Sequence, residues 1–171
     1  RPVIEVISER LPVTIFLSLL AFFISVPLGI VFGIISAVRR GTAADTFVTT
    51  TANVCCCLPE FWLGILFLYV FSMLTGWLPS SGFVWPWVDF GLSVRSIIMP
   101  LLCLAVGGIA SITRQTRSSM LEVIRQDYIR TARSKGLREK KVIFVHALKN
   151  ALLPVLTLMG LRLGGMVGGS V

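Results

Sequence analysis

Few residues in this chain are of a type that does chemistry, and most of them stand where chemistry is awkward. The single histidine is His146, and the four cysteines are Cys55, Cys56, Cys57 and Cys103. Consecutive residues on a helix point about 100° apart, so the cysteine triplet does not converge on one metal, and small apolar packing is the reading for all four. No constellation of nucleophile and base is visible, which argues against an intramembrane enzyme. No Gly-x-x-x-x-Gly-Lys-Ser/Thr stretch occurs, so the chain cannot cradle a nucleotide's phosphates and needs no cofactor of its own. Two charges, Glu60 and Arg162, lie deep within long apolar surroundings. Such groups either pair or face a water-filled path. On a path, Glu60 would meet an ammonium and Arg162 a carboxylate; both alternatives stay open.

The segments that must position these residues are apolar. Of the 171 residues 55% are hydrophobic and 14% charged, against roughly 25% charged in a soluble domain. Uncharged runs cover 11–38, 46–59, 61–88, 96–113 and 150–161. A bilayer crossing takes roughly 20 apolar residues, so four membrane helices are expected, at about 14–38, 46–74, 96–113 and 150–171. The fold class is all-α, a polytopic membrane helical bundle. Proline removes an amide donor and clashes with the preceding turn, so Leu58-Pro59-Glu60-Phe61-Trp62 predicts a kink or break near mid-membrane. Pro59, Glu60, Phe61 and Arg162 are candidates for lining a translocation path. Residues 1–13 read as an amphipathic lead-in on the outer interface, with Pro12 tolerated in the first turn of the helix that follows.

Charge placement gives the orientation. The net charge of +8 is not spread as on a nucleic-acid-binding surface. Arg114, Arg117, Arg125, Arg130, Arg133, Lys135, Arg138, Lys140, Lys141 and Lys149 put ten of the sixteen basic residues into the link 114–149, which the positive-inside rule makes cytoplasmic. Arg39 and Arg40 mark the other cytoplasmic turn. The link 75–95 then faces outside, and its Trp77, Phe83, Trp85, Trp87 and Phe90 suit an interfacial aromatic belt. The first helix enters from outside with no signal ahead of it, and the last run is still apolar where the sequence stops. The bundle is therefore expected to be truncated at both ends.

Within 114–149, Ser119-Met120-Leu121-Glu122 has capping-box spacing, and Asp127 is an alternative helix start. The helix continues to Lys135, and Gly136 supplies a left-handed stop. Leu121, Ile124, Tyr128 and Ala132 fall on one side as a stripe for a partner to cover. In the last helix Gly160, Gly164, Gly165, Gly168 and Gly169 make small-xxx-small spacings for close helix packing, with a conformational hinge as the alternative.

These residues resemble a known family, the inner-membrane permeases of binding-protein-dependent ABC importers, in the branch serving dipeptides, oligopeptides and nickel. The resemblance is carried by Arg117-Ser118-Ser119-Met120-Leu121-Glu122-Val123, by the run from Asp127-Tyr128-Ile129-Arg130-Thr131-Ala132 through Arg133-Ser134-Lys135-Gly136-Leu137, and by His146-Ala147-Leu148-Lys149-Asn150 with Pro154. Further matches are Arg10-Leu11-Pro12, Pro59 with Phe61-Trp62, and Gly76-Trp77-Leu78-Pro79. It implies a type I importer fold in the cytoplasmic membrane of a bacterium or archaeon. It also implies that the 114–149 loop holds the "EAA" helix that sits in a groove of the ATPase, with Asp127, Tyr128, Ala132, Arg133, Lys135 and Gly136 as the coupling residues. The glutamate naming that loop in other branches is Arg130 here, and its first alanine is Thr131. Implied partners are two ATPase subunits carrying ATP and Mg, a second permease, an extracytoplasmic substrate-binding protein and the lipid bilayer, with no nucleic acid. A channel or ion-coupled transporter is the competing class, and Glu60 is the only intramembrane carboxylate that would serve it.

Overall fold

The computed structural model of the chain describes residues 3–168, and these form helices and their links alone. In chain order they are α1 (Val3–Val38), α2 (Ala43–Cys57), α3 (Glu60–Phe67), α4 (Phe90–Ile124), α5 (Asp127–Ser134), α6 (Glu139–Lys141) and α7 (Leu148–Gly168). A π-helical turn, Leu68–Leu74, extends α3, and another, Val142–Ala147, joins α6 to α7. Three stretches are long and apolar enough to cross a membrane: Arg10–Val38, Phe90–Ile124 and Glu139–Gly165. The fourth crossing exists only as a bent pair, Ala43–Cys57 with Glu60–Leu74, at 97° to each other.

Three boundaries differ from the sequence reading. Residues 1–13 were expected to form a separate lead-in; of these, the described part from Val3 onward belongs to α1, which runs through Pro12 and Pro27 without ending. Pro12 is exposed, so the carbonyl its ring frees lies on an outer face where other donors can reach it. The third helix was expected over 96–113 and instead spans Phe90–Ile124, capped by Asp89, whose Oδ1 accepts from the Leu92 amide at 3.0 Å. Ser119 is not a cap: it is buried mid-helix, and its hydroxyl accepts from the Gln115 amide nitrogen at 3.3 Å. The charges after Thr113 mark where apolar surroundings end, whereas the backbone ladder continues to Ile124. At the final helix, helical structure starts at Glu139 rather than at 150.

Helices α1 and α4 make the most extensive pairing, and glycine makes it possible. A Cβ on Gly29 would lie 2.7 Å from Ile112 Cβ, and one on Gly33 would lie 2.5 Å from Thr116 Cβ. Gly108 of α4 likewise admits Ser25, whose hydroxyl donates to the Ala105 carbonyl at 3.1 Å. This small-xxx-small contact was not anticipated. The one expected from α7 is not made within the chain: Gly160, Gly164 and Gly165 have nothing within 4 Å of a Cβ position. Gly168 ends α7, and Gly169 lies outside the described residues. Helix α7 packs instead through Ala151, Val155 and Met159, one face at four-residue intervals, and this turns the glycines outward.

The aromatic end is also built. Trp85 stacks on Trp87 with centroids 4.5 Å apart and meets Phe83 edge-on at 4.9 Å, while Phe16 of α1 packs edge-on against Phe83 and Trp85.

Candidate functional site

At the basic end, α4 stops at Ile124 and the chain turns through Arg125 and Gln126, whose extended backbone (φ −69°, ψ 149°) breaks the helical path. Helix α5 then runs for eight residues. Its Ile129 and Ala132, three apart, sink into a cluster with Met120, Val142, Ile143 and Ala151. Ala132 is therefore an internal packing residue, with 8% of its surface exposed, and is not the surface contact the sequence reading made of it. Tyr128 stays 42% exposed. Its hydroxyl accepts from the Asn150 side-chain amide at 2.8 Å, which ties α5 to the first turn of α7. Asp127 is exposed and reaches Arg130 at 3.5 Å.

Gly136 has φ +74°, the left-handed conformation expected of a helix stop, and follows the exposed Lys135. Beyond it Glu139 turns back to hold Arg133, with Nη2 donating to Oε1 at 2.7 Å and Nε to Oε2 at 3.3 Å. The carboxylate keeps this guanidinium's pKa above its ordinary value. Both side chains are largely exposed, so the bridge shapes the loop more than it stabilises it.

A second anchor was not legible in the sequence. Asp45, in the first turn of α2, is buried. Arg117 of α4 grips it with two bonds, Nε to Oδ1 at 2.8 Å and Nη2 to Oδ2 at 3.0 Å. Ser36 of α1 and Thr49 donate to Oδ1, and the Gly41 amide donates to Oδ2 at 3.0 Å. One carboxylate thus fastens α1, α2 and α4 together. The available signal was an acid one turn into a helix directly behind Arg39-Arg40-Gly41.

Pro59 leads into α3 with φ −63° and ψ 138°, and here the expected kink is a right-angle break. Phe61 and Pro59 face outward, and Glu60 is exposed within the chain. The Glu60 carboxylate lies 3.4 Å from where a Cβ on Gly107 of α4 would stand. Arg162 of α7 donates to the Ser111 hydroxyl, one turn along α4 from Gly107, and Cys56 Sγ is 3.8 Å from that same oxygen. The two charges therefore reach one short stretch of α4, yet among the described residues they form no ion pair with each other. Arg162 takes a hydroxyl in place of the carboxylate. A hydrogen bond to a charged group contributes about 1.5–3 kcal/mol, so Ser111→Ala is expected to destabilise the full-length protein by about 2 kcal/mol. In an Arg162→Gln background the same change should cost under about 0.5 kcal/mol, since the bond is already gone. Thermal unfolding of the four proteins in detergent measures this, and equal losses in both backgrounds would contradict the contact.

The structure is thus a helical membrane bundle with a short amphipathic helix docked at its basic end, between two of its spans. The chain belongs to the family of binding-protein-dependent transport system inner membrane components, whose pattern matches residues 29–171. It is 49% identical over 172 residues to a protein of Brucella abortus (strain 2308) provisionally named a peptide transport system permease, covering 100% of this chain and 54% of the relative. It is 41% identical to the oligopeptide transport system permease protein AppB of Bacillus subtilis (strain 168), over 99% of this chain and 54% of that protein. The di/tripeptide transport system permease protein DppB of Pseudomonas aeruginosa (strain UCBPP-PA14) is 40% identical over 94% of this chain and 54% of its own length. The chain thus spans about half the length of the curated relatives it matches.

Proposed function

We propose that this chain is the membrane-spanning core of a permease subunit in an ATP-driven peptide importer, and that separate ATPases move it by gripping α5 on the cytoplasmic side. The observation that carries this reading is the mounting of α5. Ile129 and Ala132 seat it on the bundle, the Tyr128–Asn150 bond joins it to α7, and Asp127, Tyr128, Arg130 and Thr131 are left facing outward. A rigid element held by two spans transmits a push to both. Peptide cargo is supported by the names of the relatives; nickel draws no support from them. Two ATPases holding ATP and Mg, a second permease and an extracytoplasmic binding protein complete the assembly in this proposal.

Crosslinking tests it. Tyr128→Cys in the full-length permease should crosslink to the ATPase subunit in isolated membranes and gain or lose yield when ATP is added. Tyr128→Phe keeps the ring and removes the acceptor for Asn150. A typical hydrogen bond is worth about 0.5–1.5 kcal/mol, so uptake should fall by about 3–10-fold while the ATPase remains bound. Labelling of Tyr128→Cys from the outer face of intact cells would end the proposal.

A further inference from the structure

A groove lies between α1 and the π-helical turn Val142–Ala147, and its exposed walls and rim take no part in the coupling described above. It encloses about 260 Å³ and is walled by Ile35, Val38, Ile143 and Phe144, with Arg39 and Lys140 at its rim. Ile143 is buried and forms the floor, whereas Ile35, Val38 and Phe144 are exposed at 37%, 46% and 55%. The apolar surface does not end at the groove. Leu28, Val31, Ile35 and Val38 are all exposed on one stripe of α1, about 15 Å long at 1.5 Å per residue. It runs from the groove toward mid-membrane.

The cations at the rim are uncompensated. Lys140 follows Glu139, but that carboxylate is held by Arg133. Arg39 precedes Asp45 by six residues, but that carboxylate is held by Arg117. Among the described residues neither Arg39 nor Lys140 has an ion-pair partner. The acids nearest in sequence to the two rim cations are thus committed elsewhere, leaving two positive charges at the boundary between an apolar stripe and the polar end of the bundle.

We propose that this groove binds an anionic phospholipid, with the phosphate between Arg39 and Lys140 and one acyl chain lying along Val38, Ile35 and Val31. Basic pockets between membrane helices on the cytoplasmic side have the charge and shape that such headgroups require. A zwitterionic lipid offers the same chains without the net charge. A protein partner would need to bring its own carboxylates to a rim that the surrounding chain leaves positive. The site does not involve the cargo and shares with the buried residues that seat α5 only Ile143, which the test leaves in place, so its failure would leave the coupling proposal untouched.

The test uses the assembled transporter containing the full-length permease, purified in mild detergent and titrated with phosphatidylglycerol or phosphatidylcholine, with retained lipid counted by native mass spectrometry. Phosphatidylglycerol should be retained in preference. Each surface cation contributes about a fivefold factor to anionic-lipid binding. Arg39→Gln with Lys140→Gln should therefore weaken phosphatidylglycerol retention by about 25-fold and leave phosphatidylcholine unchanged. Ile35→Trp, which fills the groove, should weaken it without altering charge. The neighbouring pair Arg40→Gln with Lys141→Gln should change it by less than about twofold. Three results overturn the proposal: equal retention of the two lipids, an equal loss from the neighbouring pair, or a Val38→Cys crosslink to another subunit where lipid should lie. All the polar substitutions are at exposed positions, and co-purification of the other subunits confirms assembly.

Discussion

Asp45→Asn is expected to lower the stability of the protein by about 3 kcal/mol, and Arg117→Met by a similar amount. Removing one partner of a buried ion pair costs about 3–5 kcal/mol because the other charge is stranded. The lower end applies because Arg117 keeps 26% of its side chain exposed, so water meets part of its loss. Asparagine keeps the shape of aspartate but cannot accept from Arg117, Ser36, Thr49 and Gly41 together, since one of its two terminal atoms is a donor. The double change Asp45→Leu with Arg117→Met should recover much of the deficit, as apolar replacements of buried pairs often do. Thermal unfolding in detergent, with the yield of folded protein, gives the readout. If Asp45→Asn unfolds within 1 °C of the parent, the anchor is not the fastening that its geometry implies.

The same network marks how far the sequence could be read. The apolar runs, the break at Pro59 and the stop at Gly136 were legible because each rests on a local cause: hydropathy over some twenty residues, a missing amide donor, a backbone conformation that only glycine adopts freely. Asp45 and Arg117 stand 72 residues apart, and no local pattern points from one to the other. In α4 the appearance of charge after Thr113 reads as a helix end. Charge reports the membrane boundary, and the hydrogen-bond ladder ignores it. The stripe Leu121, Ile124, Tyr128, Ala132 assumed one uninterrupted helix. The extended step at Gln126 resets the phase, so Ile129 points inward beside Ala132 and Tyr128 is released to reach Asn150. Glycine spacing was equally ambiguous, since Gly29 with Gly33 and Gly160 with Gly164 read alike until the neighbours are known.

That ambiguity has the other large consequence. Gly33→Leu is expected to destabilise the protein by about 3 kcal/mol or more, above the usual 1–3 kcal/mol for overpacking. A Cβ there would stand 2.5 Å from Thr116 Cβ and 2.9 Å from the Thr113 carbonyl oxygen. The first is a fully buried β-branched side chain with little rotamer freedom, and the second is backbone, so neither can give way. Helices α1 and α4 must separate, and the disturbance reaches Ser36, one turn on, where it donates to Asp45. Gly33→Leu and Asp45→Asn should therefore be less than additive, because the first already weakens what the second removes. Gly160→Leu is the matched control: nothing lies within 4 Å of its Cβ position, so the purified chain should change by less than about 0.5 kcal/mol. Should Gly33→Leu behave like Gly160→Leu in thermal unfolding, the α1–α4 crossing is not as close as described. Should Gly160→Leu instead leave stability intact but abolish association with another subunit, the outward glycines would serve a contact between subunits, a role that their open surroundings leave room for.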